Sequence, residues 1–400
     1  MSLSGFRERW AADRDLVTPP LARMDVHVFR APIDAPVRTS FGTMTDRPAV
    51  LVCLTDEDGV SGWGEIWCNY PVCGAEHRAR LAVQVFSPHL LGHSFANPPV
   101  ASDTLAHATH VLALQTREAG PLDQVIAGID GALWDLTARR RGCPLWQVLG
   151  GMDAQAVVPV YASGINPGGA VESIREARRA GYRAFKIKIG FDPEQDLATV
   201  AAASRALAGN EHLMVDANQA WTPDQARAMA LALGDFPLQW LEEPMPVDTP
   251  TAAWRELAAM SPVDLAGGEN FASDEAFAEA SDDRILSVLQ PDLCKWGGIS
   301  RCVPVAERVL MAGRQYCPHY LGGGIGLIAS AHALAAVGGD GLLEVDCNPN
   351  PLRTRLAEPF PRVSEGEMPL PDGPGLGVEP DLEAVSSWQT LHLTETVARG

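Results

Sequence analysis

The chain has 400 residues, 46% hydrophobic and 20% charged, an ordinary globular composition with room for two or three domains around a sizeable core. Its net charge of −19 repels phosphate backbones and anionic lipid, which excludes nucleic acid and membrane surfaces as partners. No apolar run reaches the ~20 residues of a membrane span. The charge-rich stretch from Ser2 to Leu16 does not read as a signal peptide, and eight cysteines without a CxxC pair read as reduced thiols, so the expected location is cytoplasmic.

In chain order, residues 24–30 and 49–55 alternate as strands. Asp56-Glu57-Asp58-Gly59, between 49–55 and 60–66, signals a hairpin. Helical periodicity runs from Ala75 to about Leu149, with Asp130, Trp134 and Leu145 on recurrent faces. Residues 1–150 therefore read as an α+β module. After Gly150-Gly151, short apolar strands recur at 157–161, 184–189, 212–215, 239–241, 263–266, 285–289, 315–317 and 342–345, with Ala-rich amphipathic stretches between most of them. That alternation predicts an α/β class (β/α)8 barrel over 151–350. The Pro-rich segment 351–400 is not barrel-like and reads as a return to the first domain.

Polar residues fall at the strand ends: Lys188, Asp216, Glu242, Glu269, Asp292, His319 and Glu344, in steps of 28, 26, 27, 23, 27 and 25 residues. Each step is one βα unit. Barrel enzymes build their sites from this C-terminal rim, whereas seven successive helix caps of this kind are hard to explain. Asp216, Glu242 and Glu269 stand on consecutive strands and would repel each other at one point unless a cation sat between them. Three oxygen donors suit a hard ion, Mg²⁺ or Mn²⁺. Glu243 competes with Glu242, but Glu242 shares the strand face of Trp240. Lys186 and Lys188 are two apart and so share the inner face, with Phe185, Ile187 and Ile189 outward. Two buried like charges are expected to lower each other's pKa and favour a neutral amine base. Asp292 beside His319 would fix the imidazole tautomer and raise its basicity. Glu344 reads as a general acid or electrostatic partner, and Lys295 lies past the rim.

Lys186-x-Lys188, Asp216-Ala217-Asn218, Trp240-Leu241-Glu242-Glu243-Pro244, Gly268-Glu269-Asn270, Pro291-Asp292 with Gly297-Gly298, and Pro318-His319 form an ordered series. It resembles the enolase superfamily, mandelate racemase subgroup, over nearly the whole chain. Gly62-Trp63-Gly64-Glu65 and Pro371-Asp372-Gly373-Pro374-Gly375-Leu376-Gly377 match as well. The resemblance implies a modified TIM (β/α)8 barrel under an N-terminal α+β capping domain, one Mg²⁺ per subunit, and a homo-oligomer. It implies a small carboxylate substrate that loses its α-proton to give an enediolate. Lys188 would be the base on one face, Lys186 the partner of the enolate oxygen, and His319 with Asp292 the group on the opposite face. Glu344 would hydrogen-bond the substrate carboxylate. A muconate-cycloisomerase-like member would carry lysine at position 292.

Opposed bases allow β-elimination or racemisation. Dehydration of a sugar acid or diacid to a 2-keto acid is the leading expectation. Asn218, Arg38, Trp67 and Tyr70 are candidates for substrate contact, and Thr39, Ser40 and Asn69 are further lid candidates. A 2-hydroxy-acid racemase or epimerase and a sugar-lactone cycloisomerase are the alternatives. A non-catalytic binding protein on the same scaffold is the alternative from another class, disfavoured by the intact set of ligands and bases.

Overall fold

The computed structural model describes residues 5–38, 42–150 and 156–397, without the side chains of Ala35 and Arg38. After helix α1 (Phe6–Ala12) come three antiparallel strands, β1 (Leu21–Arg38), β2 (Thr43–Asp56) and β3 (Ser61–Ile66). Thr55 pairs with Ser61 across the hairpin. Helices α2 (Gly74–Leu81), α3 (Pro98–Thr116), α4 (Ala119–Arg141) and α5 (Leu145–Gly150) follow. Met24, Val26 and Val28 of β1 and Val50, Val52 and Leu54 of β2 alternate onto one face and bury against α4.

Eight parallel strands then alternate with helices. They are β4 (Val157–Ile165), β5 (Ala184–Lys188), β6 (His212–Asp216), β7 (Leu238–Glu242), β8 (Leu265–Gly267), β9 (Val288–Leu289), β10 (Gln315–Tyr316) and β11 (Leu343–Asp346). The helices are α6 (Ala170–Arg179), α7 (Pro193–Ala206), α8 (Pro223–Leu233), α9 (Thr251–Met260), α10 (Asp274–Asp282), α11 (Gly298–Met311) and α12 (Gly324–Val337). The strand order is β10-β9-β8-β7-β6-β5-β4-β11. Across the closing seam, Glu344 N donates to Pro318 O at 3.4 Å. Seven of the eight strands fall within three residues of their place in the apolar pattern, and β4 runs four residues beyond its expected end, to Ile165. Inside the barrel, Tyr161, Ala184, Met214, Trp240, Ala266, Val288 and Cys317 pack into a separate core below the polar rim.

After α13 (Pro351–Arg355) the chain divides between the two modules. β12 (Glu367–Pro369) pairs antiparallel with β4, and β13 (Gln389–Thr396) pairs with β1 at the edge of the first sheet. The cap is fastened to the barrel by buried polar contacts. Arg47 of β2 forms an ion pair with Asp346 at the end of β11. Glu65 of β3 accepts from Gly323 N at 2.5 Å and Gly326 N at 2.9 Å at the start of α12. Glycine makes this reach possible: a Cβ on Gly64 would lie 1.9 Å from Gly128 O of α4. Only a strand without side chains at 62 and 64 can lie so close to that helix.

Candidate active site

The parallel register sets the polar rim. Lys188 stands opposite Asp216, and Asp216 opposite Glu242, at the C-terminal ends of β5, β6 and β7. Glu269 follows β8, Asp292 follows β9, His319 follows β10, and Glu344 lies within β11. All seven residues of the ladder therefore face one mouth. Just past the carboxylates, Asn218 (φ 45°), Gln219 (φ 63°) and Glu243 (φ 39°) occupy the left-handed region. Non-glycine residues rarely adopt it, and such strain concentrates at functional sites.

Lys186 Nζ donates to Glu242 Oε1 at 2.5 Å and Glu344 Oε1 at 2.9 Å, beside the Tyr161 hydroxyl at 3.4 Å. Lys188 Nζ donates to Asp216 Oδ2 at 2.8 Å and Asn218 Oδ1 at 2.7 Å. Burial disfavours both ammonium groups, but the carboxylates outweigh it. Lys186 is held well above the usual lysine value and Lys188 above it. This corrects the expectation of a neutral amine: the carboxylates beside each lysine outweigh both burial and the neighbouring lysine. Burial, reinforced by Asp216 and Glu344 against the pull of Lys186, pushes Glu242 up to about 7.

His319 Nδ1 lies 2.8 Å from Asp292 Oδ2, and its Nε2 meets Glu269, with Glu344 Oε2 at 3.6 Å. Burial opposes the imidazolium, yet Glu269 and Glu344 raise its pKa well above the ordinary histidine value. Glu344 also accepts from Ser163 Oγ. Despite burial, Lys186 and His319 bring its carboxyl down to about 2. An ionised Glu344 accepts hydrogen bonds, and its contacts suit an electrostatic partner of Lys186 and His319.

Trp240 Nε1 donates to Glu242 Oε2 at 3.1 Å, whereas Glu243 turns out of the barrel to line a cleft between α9 and α10. Asn218 is directed inward, its Nδ2 on Asp216 Oδ2 at 3.0 Å. Trp67 lies between two cations, Lys295 Nζ 5.0 Å and the Arg78 guanidinium 5.5 Å from its ring. Tyr70 packs under Gly42, and Asn69 Nδ2 donates to Leu321 O at 2.6 Å. The Arg38 side chain, Thr39 and Ser40 lie outside the described residues.

Sequence reasoning passed over Ser163 and Gln290, whose Nε2 donates to Glu242 Oε2 at 2.7 Å. Both sit at strand ends, but neither carries the charge by which the ladder was found. Lys295, placed past the rim by its spacing, reaches back to Asn270 Oδ1 at 2.7 Å. Asn270 in turn donates to Glu243 Oε1 at 2.7 Å and Glu269 Oε1 at 3.0 Å.

Asp216, Glu242 and Glu269 do not converge on one point. Among the described residues, no three His, Cys, Asp or Glu side chains are set to hold an ion; Asp216, Glu242 and Glu269 are each paired with a base, Lys188, Lys186 and His319 in turn. Charge and donor type still fit a divalent cation. Five acids (Asp216, Glu242, Glu269, Asp292 and Glu344) face four bases (Lys186, Lys188, Lys295 and His319), with Glu243 behind them on Asn270. The surplus is negative, and Glu243 is pushed well above the usual carboxylate range by burial and by Glu269 and Asp216. All-oxygen donors with surplus negative charge suit Mg²⁺ better than a soft metal.

Residues 23–150 match the mandelate racemase/muconate lactonizing enzyme N-terminal domain, and residues 169–385 the enolase C-terminal domain-like family. A mandelate racemase/muconate lactonizing enzyme structure from Bordetella bronchiseptica RB50 is 51% identical, covering 92% of this chain and 99% of that one, with a TM-score of 0.86. A racemase from Streptomyces coelicolor A3(2) with bound magnesium is 29% identical over 92% of this chain and 100% of that one, with a TM-score of 0.83. The D-galactarolactone cycloisomerase of Agrobacterium fabrum is 30% identical over 91% of this chain and 97% of its own length. Domain order, barrel topology and these matches agree, and the chain belongs to the mandelate racemase/muconate lactonizing enzyme group of the enolase superfamily, as an enzyme of the mandelate racemase type.

Proposed function

We propose that this enzyme removes the proton α to the carboxylate of an acid sugar and then expels an oxygen from the β-carbon. The observation that carries this reading is the placement of Lys188 and His319. They belong to different strands, with Asp216, Glu242 and Glu269 on the strands between. One group removes a proton while the other delivers one, as β-elimination requires.

In this reading Lys188 acts as the neutral amine, having given its ammonium proton to solvent, and takes the α-proton of the substrate. Lys186 faces the enediolate oxygen and stabilises its charge. His319, charged and oriented by Asp292, protonates the departing oxygen. Glu344 holds Lys186 in place. A Mg²⁺ ion on Asp216, Glu242 and Glu269 would supply positive charge to the enediolate, with Mn²⁺ the substitute. Where the leaving oxygen is a hydroxide, the product is a 2-keto acid and the reaction is dehydration.

A second reading is favoured by the resemblance to D-galactarolactone cycloisomerase. There the leaving oxygen belongs to a ring, and the same two groups open or rearrange a sugar lactone without releasing water. A screen of acid sugars and their lactones with Mg²⁺, read by carbonyl trapping and by proton NMR in D₂O, tests both. Keto acid from open-chain sugars supports dehydration. Turnover of lactones alone selects cycloisomerisation, and epimerised substrate without elimination sinks both in favour of a racemase.

A further inference from the structure

Gln290 stands at the rim of the barrel just past β9, and only 1% of it is exposed. Its Nε2 donates to Glu242 Oε2 at 2.7 Å, while its Oε1 is buried with no hydrogen-bond partner among the described residues. A buried carbonyl without a donor destabilises a fold, and an apolar side chain of the same length would avoid that cost. What the amide contributes at this position is its N–H group.

That group reaches across a strand. Glu242 ends β7, and β8 lies between β7 and β9. Ala266 of β8 faces the interior, and by the two-residue alternation Gly268 takes the next inward place. Gly268 has φ +127°, and a Cβ on it would lie 3.0 Å from Gln290 N. Glycine keeps the path from β9 to Glu242 open.

At Glu242 the donors can be set against the acceptor positions. Oε2 accepts from Trp240 Nε1 at 3.1 Å and Gln290 Nε2 at 2.7 Å, which fills both of its positions. Oε1 accepts from Lys186 Nζ at 2.5 Å and keeps one position free. Trp240 and Gln290 are uncharged and buried, so neither departs when a proton moves.

We infer that Gln290, with Trp240, is a positioning residue that limits Glu242 to a single-oxygen contact with the metal ion and so makes the site select Mg²⁺ against Ca²⁺. This rests on the proposed role of Glu242 as a metal ligand. The physical basis is rigidity. Mg²⁺ demands near-ideal octahedral geometry, whereas Ca²⁺ takes about six to eight oxygens in a flexible shell, from carboxylates in one- or two-oxygen contact. A carboxylate fixed on one oxygen suits the smaller ion and denies the larger one a donor.

The test is ion binding by the full chain, measured by titration calorimetry with MgCl₂ and, separately, CaCl₂. Wild type is compared with Gln290→Met, which keeps the length and removes the donor, and with Trp240→Phe, which removes the other N–H. Circular dichroism checks the fold, and either variant carries the test if the other fails to fold. Wild type should bind Mg²⁺ more tightly than Ca²⁺. Each variant should raise the Kd for Mg²⁺ by about 10–100-fold and that for Ca²⁺ by less than about threefold. The ratio is the informative quantity, because a merely structural role would weaken both ions alike. Wild type that binds Mg²⁺ while the variants keep its preference overturns the role of Gln290 and leaves the metal reading standing. Equal affinity of wild type for the two ions overturns the role as well. Wild type that binds neither ion overturns the metal reading itself, and this proposal with it.

Discussion

Asp292 Oδ2 and His319 Nδ1 are 2.8 Å apart at the ends of neighbouring strands, and Asp292 also accepts from Cys294 N at 2.9 Å. The carboxylate is thus fixed before it fixes the ring. Its Nε2 is left facing the mouth, where Glu269 and Glu344 lie. If this pair moves a proton in catalysis, His319→Asn should lower kcat by about 10²–10⁴, the usual contribution of general acid–base catalysis. Asp292→Asn should cost about 10–100-fold, because the imidazole remains but loses its orientation. Steady-state kinetics on the substrate found by the screen, with KM followed separately, would check this. A loss below about threefold in either variant would remove the pair from the mechanism.

Lys188→Ala makes the complementary prediction. Lys188 is held by Asp216 and Asn218, so its loss frees both without opening the core. Turnover should fall by at least about 10²-fold, with solvent deuterium no longer entering the α-position in D₂O. Exchange that persists in the Lys188→Ala/His319→Asn double variant would sink both assignments.

Metal removal separates the ion from the bases. Chelation should abolish activity, and Mg²⁺ should restore it. An ion at 100 times its Kd should also stabilise the fold by about 2.7 kcal/mol, read as a rise in Tm without substrate. Glu242→Gln and Asp216→Asn should lose that rise. A Tm that ignores Mg²⁺ in the wild-type chain would reject a structural contribution from this site.

Much of this site was legible in advance because its residues carry charge and recur once per βα unit. Lys188, Asp216 and Glu242 needed only strand ends and parallel register to be placed side by side. The two-residue alternation that put Lys186 on the inner face also sent Glu243 outward. The lysine pKa values depart from expectation because the Lys186–Lys188 pair is not the dominant charge interaction of either residue. The carboxylates that reverse the sign come from β6, β7 and β11, residues distant in sequence. Ser163 and Gln290 are neutral and left no periodic signal. The division of the last 50 residues between barrel and cap depends on strand pairing, which composition does not encode.

Gly64 tests how the cap is seated. Gly64→Ala places a methyl group 1.9 Å from Gly128 O, backbone that cannot turn aside. The cost should be about 3 kcal/mol or more, with β3 pushed off α4. Glu65 would move with it and release the loop at Gly323 and Gly326, which follows His319 closely. Glu65→Ala leaves those two N–H groups without their acceptor, for about 1–3 kcal/mol. Denaturant midpoints give the stability, and KM reports the loop. Equal midpoints for Gly64→Ala and wild type would show that β3 has slack the packing does not suggest.

His332 supplies a pH dependence that the active site does not share. It is fully buried on α12, where Trp146 N donates to Nδ1 at 3.0 Å and Nε2 faces Leu376 O at 3.1 Å. Nδ1 therefore accepts and Nε2 carries the proton. Burial brings the pKa down to about 4, although the Leu376 carbonyl pulls the other way. The unfolded chain titrates near 6.5, so between about pH 6.5 and 4 it binds a proton that the folded chain refuses. Stability from this residue is complete above pH 6.5 and is lost as pH falls through that window, by about 2 kcal/mol at pH 5. Asp130 at about 7 and Asp135 at about 6, both raised by burial, work in the opposite sense. The informative quantity is therefore the difference between wild type and His332→Gln, measured by urea unfolding at pH 8 and pH 5. The wild type should lose about 2 kcal/mol more than the variant between those two conditions. Parallel losses would mean that His332 takes up its proton in the folded state, with Trp146 giving way.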